Sequence, residues 1–156
     1  MSFFNALRIA GSALTAQRLR TDVIANNIAN MNTTRTAEGG PYRRQQLVFT
    51  PRQEQVPFRT ILLAQGVVNI PSPTGATMPP GQGVRVSRVG PDDRPARRTY
   101  EPDHPDADAE GFVGYPDIDP VTEMADMLSA TRAYEANVTA FNAAKAMASK
   151  ALEIGR

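Results

Sequence analysis

The segment EPDHPDADAEG (101–111) holds the residues of this chain whose types and spacing come nearest to metal chemistry. His104 is the sole histidine, and Asp103, Asp106, Asp108 and Glu110 surround it with carboxylate oxygens. A calcium loop needs acids at alternate positions, a central glycine and a distal glutamate. Prolines at 102 and 105 break that pattern, so the segment reads as a structured acidic turn, and no metal or other cofactor is expected. Acid–base catalysis needs two placed carboxylates, or a carboxylate and a base. The other acids are scattered along the chain, four of them on a C-terminal helix. No serine stands in a nucleophile elbow, EGGPY (38–42) is a turn rather than a phosphate loop, and there are no cysteines. The chain offers no catalytic set, and an enzyme is not expected.

A second chemistry-bearing group is amide-rich. DVIANNIANMNTT (22–34) places Asn26, Asn27, Asn30 and Asn32 at the end of an amphipathic helix. Asparagine is a poor interior helix residue because its short amide competes for backbone groups. Three such residues in the last turns point to recognition. With Asn137 and Asn142 on the second helix, Asn26, Asn27 and Asn30 are expected to form interhelical amide bonds where helices of neighbouring copies meet, which fix register because a shifted alignment leaves an amide unpaired. Asn30 also suits a left-handed helix end. The basic runs PYRRQQ and RPARR could touch phosphates, but only Tyr42 and Tyr100 lie beside them, so they read as solvated strand faces and no nucleic-acid partner is expected.

The elements that must position these residues fall into three parts of a 156-residue chain. Phe3, Leu7, Ala10, Leu14, Gln17, Thr21, Ile24 and Ile28 make a heptad-like seam, predicting a helix from residue 3 to about 30, with Leu19 and Val23 off the seam. Asp119 as N-cap, Pro120 at the first helical position and Glu123 in the first turn start a second helix that runs to about Ile154, before Gly155. It carries a bulky seam (Met124, Met127, Thr131, Tyr134, Val138, Phe141) and a small one (Ala130, Ala133, Asn137, Ala140, Ala144). One partner helix in the same chain cannot cover both. Residues 33–118 hold twelve of thirteen prolines and nine of eleven glycines, with strands expected at 42–50, 83–89, 97–100 and 111–115 and a long loop or insertion at 51–82. The expected division is therefore 1–32 with 119–156 as a terminal-helix domain, and 33–118 as a β-rich projecting region. Charge is split as well: residues 1–100 carry a net +8 and 101–156 a net −7. No apolar run is long enough to cross a membrane, and the N-terminus lacks the pattern of a cleaved secretory signal.

NALRIAGSALTAQRLRTDVIANNIANMNT, GGPYRRQQLVF and EMADMLSATRAYEANVTAFNAAKAMASKALEIG together resemble the flagellar rod and hook family of axial proteins, and YEPDHPDADAEGFV is similar to its proximal-rod members. The resemblance implies an α+β fold in which long N- and C-terminal helices pair as an antiparallel coiled-coil-like domain, with a small β-rich, loop-rich insert between them. It implies a structural subunit that polymerises helically around the export channel, without enzymatic activity or cofactor. Its neighbours would be FlgB, FlgF, FlgG, FliE and copies of itself. The subunit would leave through the flagellar type III export apparatus without a cleaved signal, and would stand in the periplasmic rod. In such a tube the assembly contacts are expected at Leu7, Leu14, Ile24, Asn26, Asn27, Ile28, Asn30, Met124, Leu128, Tyr134, Asn137, Val138 and Phe141. The alternative reading is a soluble coiled-coil adaptor or another type III-exported structural protein, separated from the first by whether the chain assembles with rod partners.

Overall fold

The computed structural model describes residues 3–52 and 82–154; most of the expected 51–82 loop lies outside the described residues. The element order is α1 (Phe3–Ala29), β1 (Gln45–Pro51), β2 (Val84–Pro91), β3 (Arg97–Tyr100), β4 (Phe112–Tyr115) and α2 (Pro120–Ile154). This is the expected α+β arrangement, with two long paired helices enclosing a small β-rich part.

Local chemistry sets the helix ends. The Asp119 carboxylate accepts the N–H groups of Val121 and Thr122, satisfying two donors of the first turn, and Pro120 follows it where no N–H is required. α1 closes with a tightened turn, in which the Asn30 and Met31 N–H groups reach Asn27 and Ile28 carbonyls. Among the described residues only glycines have positive φ, so Asn30 does not adopt the left-handed end expected of it. Its amide instead bonds back to Asn26, and its oxygen accepts the Thr33 hydroxyl.

The helices run antiparallel, with Arg20 bonded to Asp126 at 3.0 Å and Asn27 facing Glu123 at 3.4 Å. The side chains buried between the elements are small: Ala10 and Ala16 on α1, Ala130 and Ala144 on α2, joined by Val23 and Ile24. Val23, off the expected seam, is buried because α1 has a second covered stripe. Ser12, Ala16, Val23 and Asn27 recur at helical spacing, and the β1–β2 ribbon lies along them.

β1 and β2 pair antiparallel with a bulge beside Val48 and Phe49. The Asp92 N–H donates to the Arg44 carbonyl at 2.7 Å and the Arg52 N–H to the Gly83 carbonyl at 2.8 Å, extending the ladder at both ends. α1 holds the ribbon at two points. The Val84 N–H donates to Ser12 Oγ at 3.1 Å, and Gln45 bonds to Asn27. Fifteen helical residues span roughly 22 Å and the six steps of β1 roughly 20 Å, so the two pins match the ribbon's length. Gly83 makes the close approach possible: its φ is +106°, and a Cβ there would collide with Ser12 Oγ. β3 and β4 form a second two-stranded ribbon, joined through residues 101–111.

Candidate functional site: a polar junction and the helix faces

The end of α1, the start of α2, the start of β1 and the end of β2 meet at one buried polar junction. Asn27 is its centre and is almost wholly buried. Its Oδ1 accepts the Gln45 N–H at 2.9 Å and the Tyr42 hydroxyl at 3.1 Å, and its Nδ2 donates to the Gln45 carbonyl at 3.0 Å and towards Glu123 Oε2 at 3.4 Å. The side-chain amide therefore meets Gln45 as a neighbouring strand's peptide group would. Glu123, equally buried, accepts Arg44 Nε at 2.6 Å. Arg44 also lies 3.8 Å from Asp92, Asp92 is bonded to Arg94 at 2.8 Å, and Arg94 reaches Asp117 at 3.3 Å. Asp117 follows β4, so one continuous chain of charges links the helix pair to both ribbons. The Arg94 hydrogen bond holds the Asp92 carboxyl below the usual carboxylate range. Burial, then the Glu123 charge, push the Tyr42 hydroxyl up, keeping it a neutral donor to Asn27.

The acidic segment is a folded corner. His104 Nδ1 accepts the Asp106 N–H, and the His104 ring meets Tyr115 edge-on. Asp106 takes the Thr34 hydroxyl at 2.7 Å and lies 3.7 Å from Arg35, docking the corner on the exit from α1. Asp108 accepts the Glu110 and Phe112 N–H groups and pairs with Arg98. Its carboxyl is held low, first by the Phe112 N–H. These bonds turn the carboxylates onto the chain itself, and among the described residues no three His, Asp or Glu side chains converge on a point.

The residues expected to carry assembly divide by exposure. Ile24 and Asn27 are buried within the chain; Leu7, Leu14, Ile28, Asn30, Asn137, Val138 and Phe141 are half-buried; Asn26, Met124, Leu128 and Tyr134 are exposed. The interhelical amide pairs do not form within the chain. The antiparallel register sets Asn137 opposite the stretch around Ala10, roughly 25 Å along α1 from Asn27. Asn137 bonds its own helix at the Ala133 carbonyl, and Asn26 and Asn30 bond each other. Asn27 fixes a strand instead of a helix register. Sequence reasoning missed Glu123, Arg44, Tyr42 and Ser12 as members of the site. The available signal was a glutamate and an arginine, each flanked by residues of an expected helix start and strand start, that the chain's topology brings together.

The outer surface is unlike that of a self-sufficient helix pair. Val121 is 74% exposed, Met124 60% and Leu128 54%, one stripe on the first turns of α2, while Met147 and Leu152 stand out at 65% and 77% further along.

Comparison with known proteins places these features. Residues 7–35 match the family model described as flagella basal body rod protein, and residues 109–154 match the C-terminal model of the flagellar basal body rod FlgEFG proteins. The chain is 46% identical to the flagellar basal-body rod protein FlgC of Bacillus subtilis over the full length of both, and 44% identical to that of Borreliella burgdorferi over 99% of this chain and 98% of the relative. It is 39% identical to the protein of the same name from Escherichia coli, again over both full lengths. With helices paired at the termini, a β-rich part between them and relatives of this similarity end to end, the chain belongs to the FlgC family of flagellar basal-body rod proteins.

Proposed function

We propose that the chain is a structural subunit of the bacterial flagellar rod, acting by assembly and not by catalysis. It polymerises helically around the export channel, with residues 1–32 and 119–156 forming the polymerisation core and 33–118 projecting from it. Its neighbours are copies of itself, the rod proteins FlgB, FlgF and FlgG, and FliE, and it reaches the periplasmic rod through the type III apparatus without a cleaved signal. The observation that carries the reading is the apolar surface left open on the second helix: Val121, Met124, Leu128, Tyr134, Met147 and Leu152 all stand outside. Burying one such large side chain is worth about 1.5–3 kcal/mol, so a substantial hydrophobic gain lies in contacts the single chain does not make. The test compares Met124→Lys/Leu128→Lys with the native protein in a strain lacking the native copy. The variant is expected to be exported but absent from purified basal bodies, leaving cells non-motile. Normal incorporation and motility would overturn the role of this face.

A further inference from the structure

The alternation along β1 leaves one side of the strand open. Arg44 and Arg52 bond to the β2 side at the two ends of the ladder, so the even-numbered residues between them face β2 and the odd-numbered ones face away. At Gln45 both outward groups are taken by the Asn27 amide. The next two rungs, the N–H and C=O of Leu47 and Phe49, have no partner among the described residues. They border a groove of about 380 Å³ between β1 and the helices, lined by Arg20, Val23, Ile24, Leu47, Phe49 and Asp126. Asn27 at its end is a built-in example of what the edge accepts: a peptide-like group presenting one donor and one acceptor.

We propose that this edge is a docking site for an extended acidic segment of a different protein, which adds beside β1 as a third strand and continues the row that Asn27 begins. Main-chain hydrogen bonds supply the attachment, and Val23, Ile24, Leu47 and Phe49 give apolar contact within an otherwise polar lining. Charge selects the partner. Residues 43–52 and 84–91 contain five arginines, Arg43, Arg44, Arg52, Arg85 and Arg88, and no carboxylate. Among the described residues only Arg44 of these is in an ion pair. An added strand would lie roughly 10 Å from β2, about one Debye length, close enough to feel Arg85 and Arg88. The same charge opposes pairing of two copies through this edge. The chain's own acidic stretch is folded as a corner with Asp106 and Asp108 already bonded, so it offers no extended strand. These arguments use strand geometry and charge alone and are independent of the helix faces.

The test uses the purified full chain and short synthetic peptides. One alternates Asp or Glu with Val or Thr, a second is the same peptide N-methylated at every other amide, and a third replaces the acids with lysine. Binding is followed by fluorescence anisotropy and by amide exchange at Leu47 and Phe49. The acidic peptide is expected to bind, to slow exchange at both amides, and to weaken at high salt; the lysine peptide is expected not to bind. Leu47→Pro removes an outward N–H without touching the ladder and should weaken binding about tenfold, the worth of one net hydrogen bond, whereas Leu47→Ala should bind nearly as the native chain does. If Leu47→Pro loses its fold, the N-methylated peptide carries the test and must lose about tenfold or more by the same reasoning. Equal binding of the methylated peptide, or no binding of the acidic one, overturns the proposal. So does protection of Leu47 and Phe49 without peptide, whether the cover comes from the chain itself or, if it grows with concentration, from a second copy.

Discussion

Replacing Asn27 by alanine tests the junction most directly. The substitution deletes both bonds to the Gln45 main chain, at 2.9 and 3.0 Å, and the one from the Tyr42 hydroxyl. Two main-chain bonds lost at a buried position cost about 1–1.5 kcal/mol each, and the space left adds about 1 kcal/mol. Alanine's better helix propensity returns about 0.5 kcal/mol. The sum is about 3 kcal/mol, which for a chain of this size lowers Tm by roughly 6–12 °C. Thermal unfolding followed by circular dichroism measures the shift, and amide exchange at Gln45 locates it. Asn27→Asp supplies a signed control. It keeps the acceptor but sets a carboxylate against Glu123, which raises the new group's folded pKa above its unfolded value. Its penalty is greatest at neutral pH and shrinks as pH falls through that raised value. A Tm for Asn27→Ala within about 1 °C of native, with Gln45 exchange unchanged, would refute the claim that this amide holds β1 to α1.

Three further outcomes are expected. Glu123→Ala leaves the Arg44 guanidinium only its longer contact with Asp92 and should cost about 2–4 kcal/mol in chemical denaturation, with Glu123→Leu/Arg44→Met recovering part of the loss; an additive double variant would contradict the pairing. Gly83→Ala forces a side chain into φ +106° against Ser12, and should cost about 1–3 kcal/mol in the same assay, with Ser12→Gly relieving the collision but not the backbone strain. The Asp119 carboxyl is held below its usual range by the Thr122 hydroxyl and then the Val121 N–H. Its stabilisation is complete above the unfolded value of about 3.9 and is lost as pH falls through the lower folded value, so Asp119→Asn should show a shallower acid limb in a stability–pH profile.

Sequence and structure agree wherever one strong local signal was present. Asp119 and Pro120 start α2 where capping chemistry put them, and RRTY and FVGY are strands with the expected bounds to within a residue. The covered stripe of α1 under the ribbon was not legible, because Ser12, Ala16 and Asn27 carry no hydrophobic signal; smallness and hydrogen bonding, not apolarity, admit a strand there. The amide-rich stretch was legible, but the strand that Asn27 holds was not. Within one chain, a helix-to-helix pairing of Asn27 with Asn137 requires a register that Arg20–Asp126 excludes. The Glu123–Arg44 pair spans 79 residues of sequence, and no local pattern joins positions so far apart.

The antiparallel helix pair also fixes a timetable. Arg20 meets Asp126 across 106 residues, and among the described residues α1 has no other helix to rest on. Roughly ninety residues separate the end of α1 from the start of α2, and at about 5–20 residues per second a ribosome needs roughly 5–20 s to make them. Throughout that interval α1 has been synthesised but its partner has not. Isolated helices gain little from propensity alone. Such a topology delays closure of the helix pair until translation is nearly complete. A nascent chain built this way stays threadable for as long as it is being made.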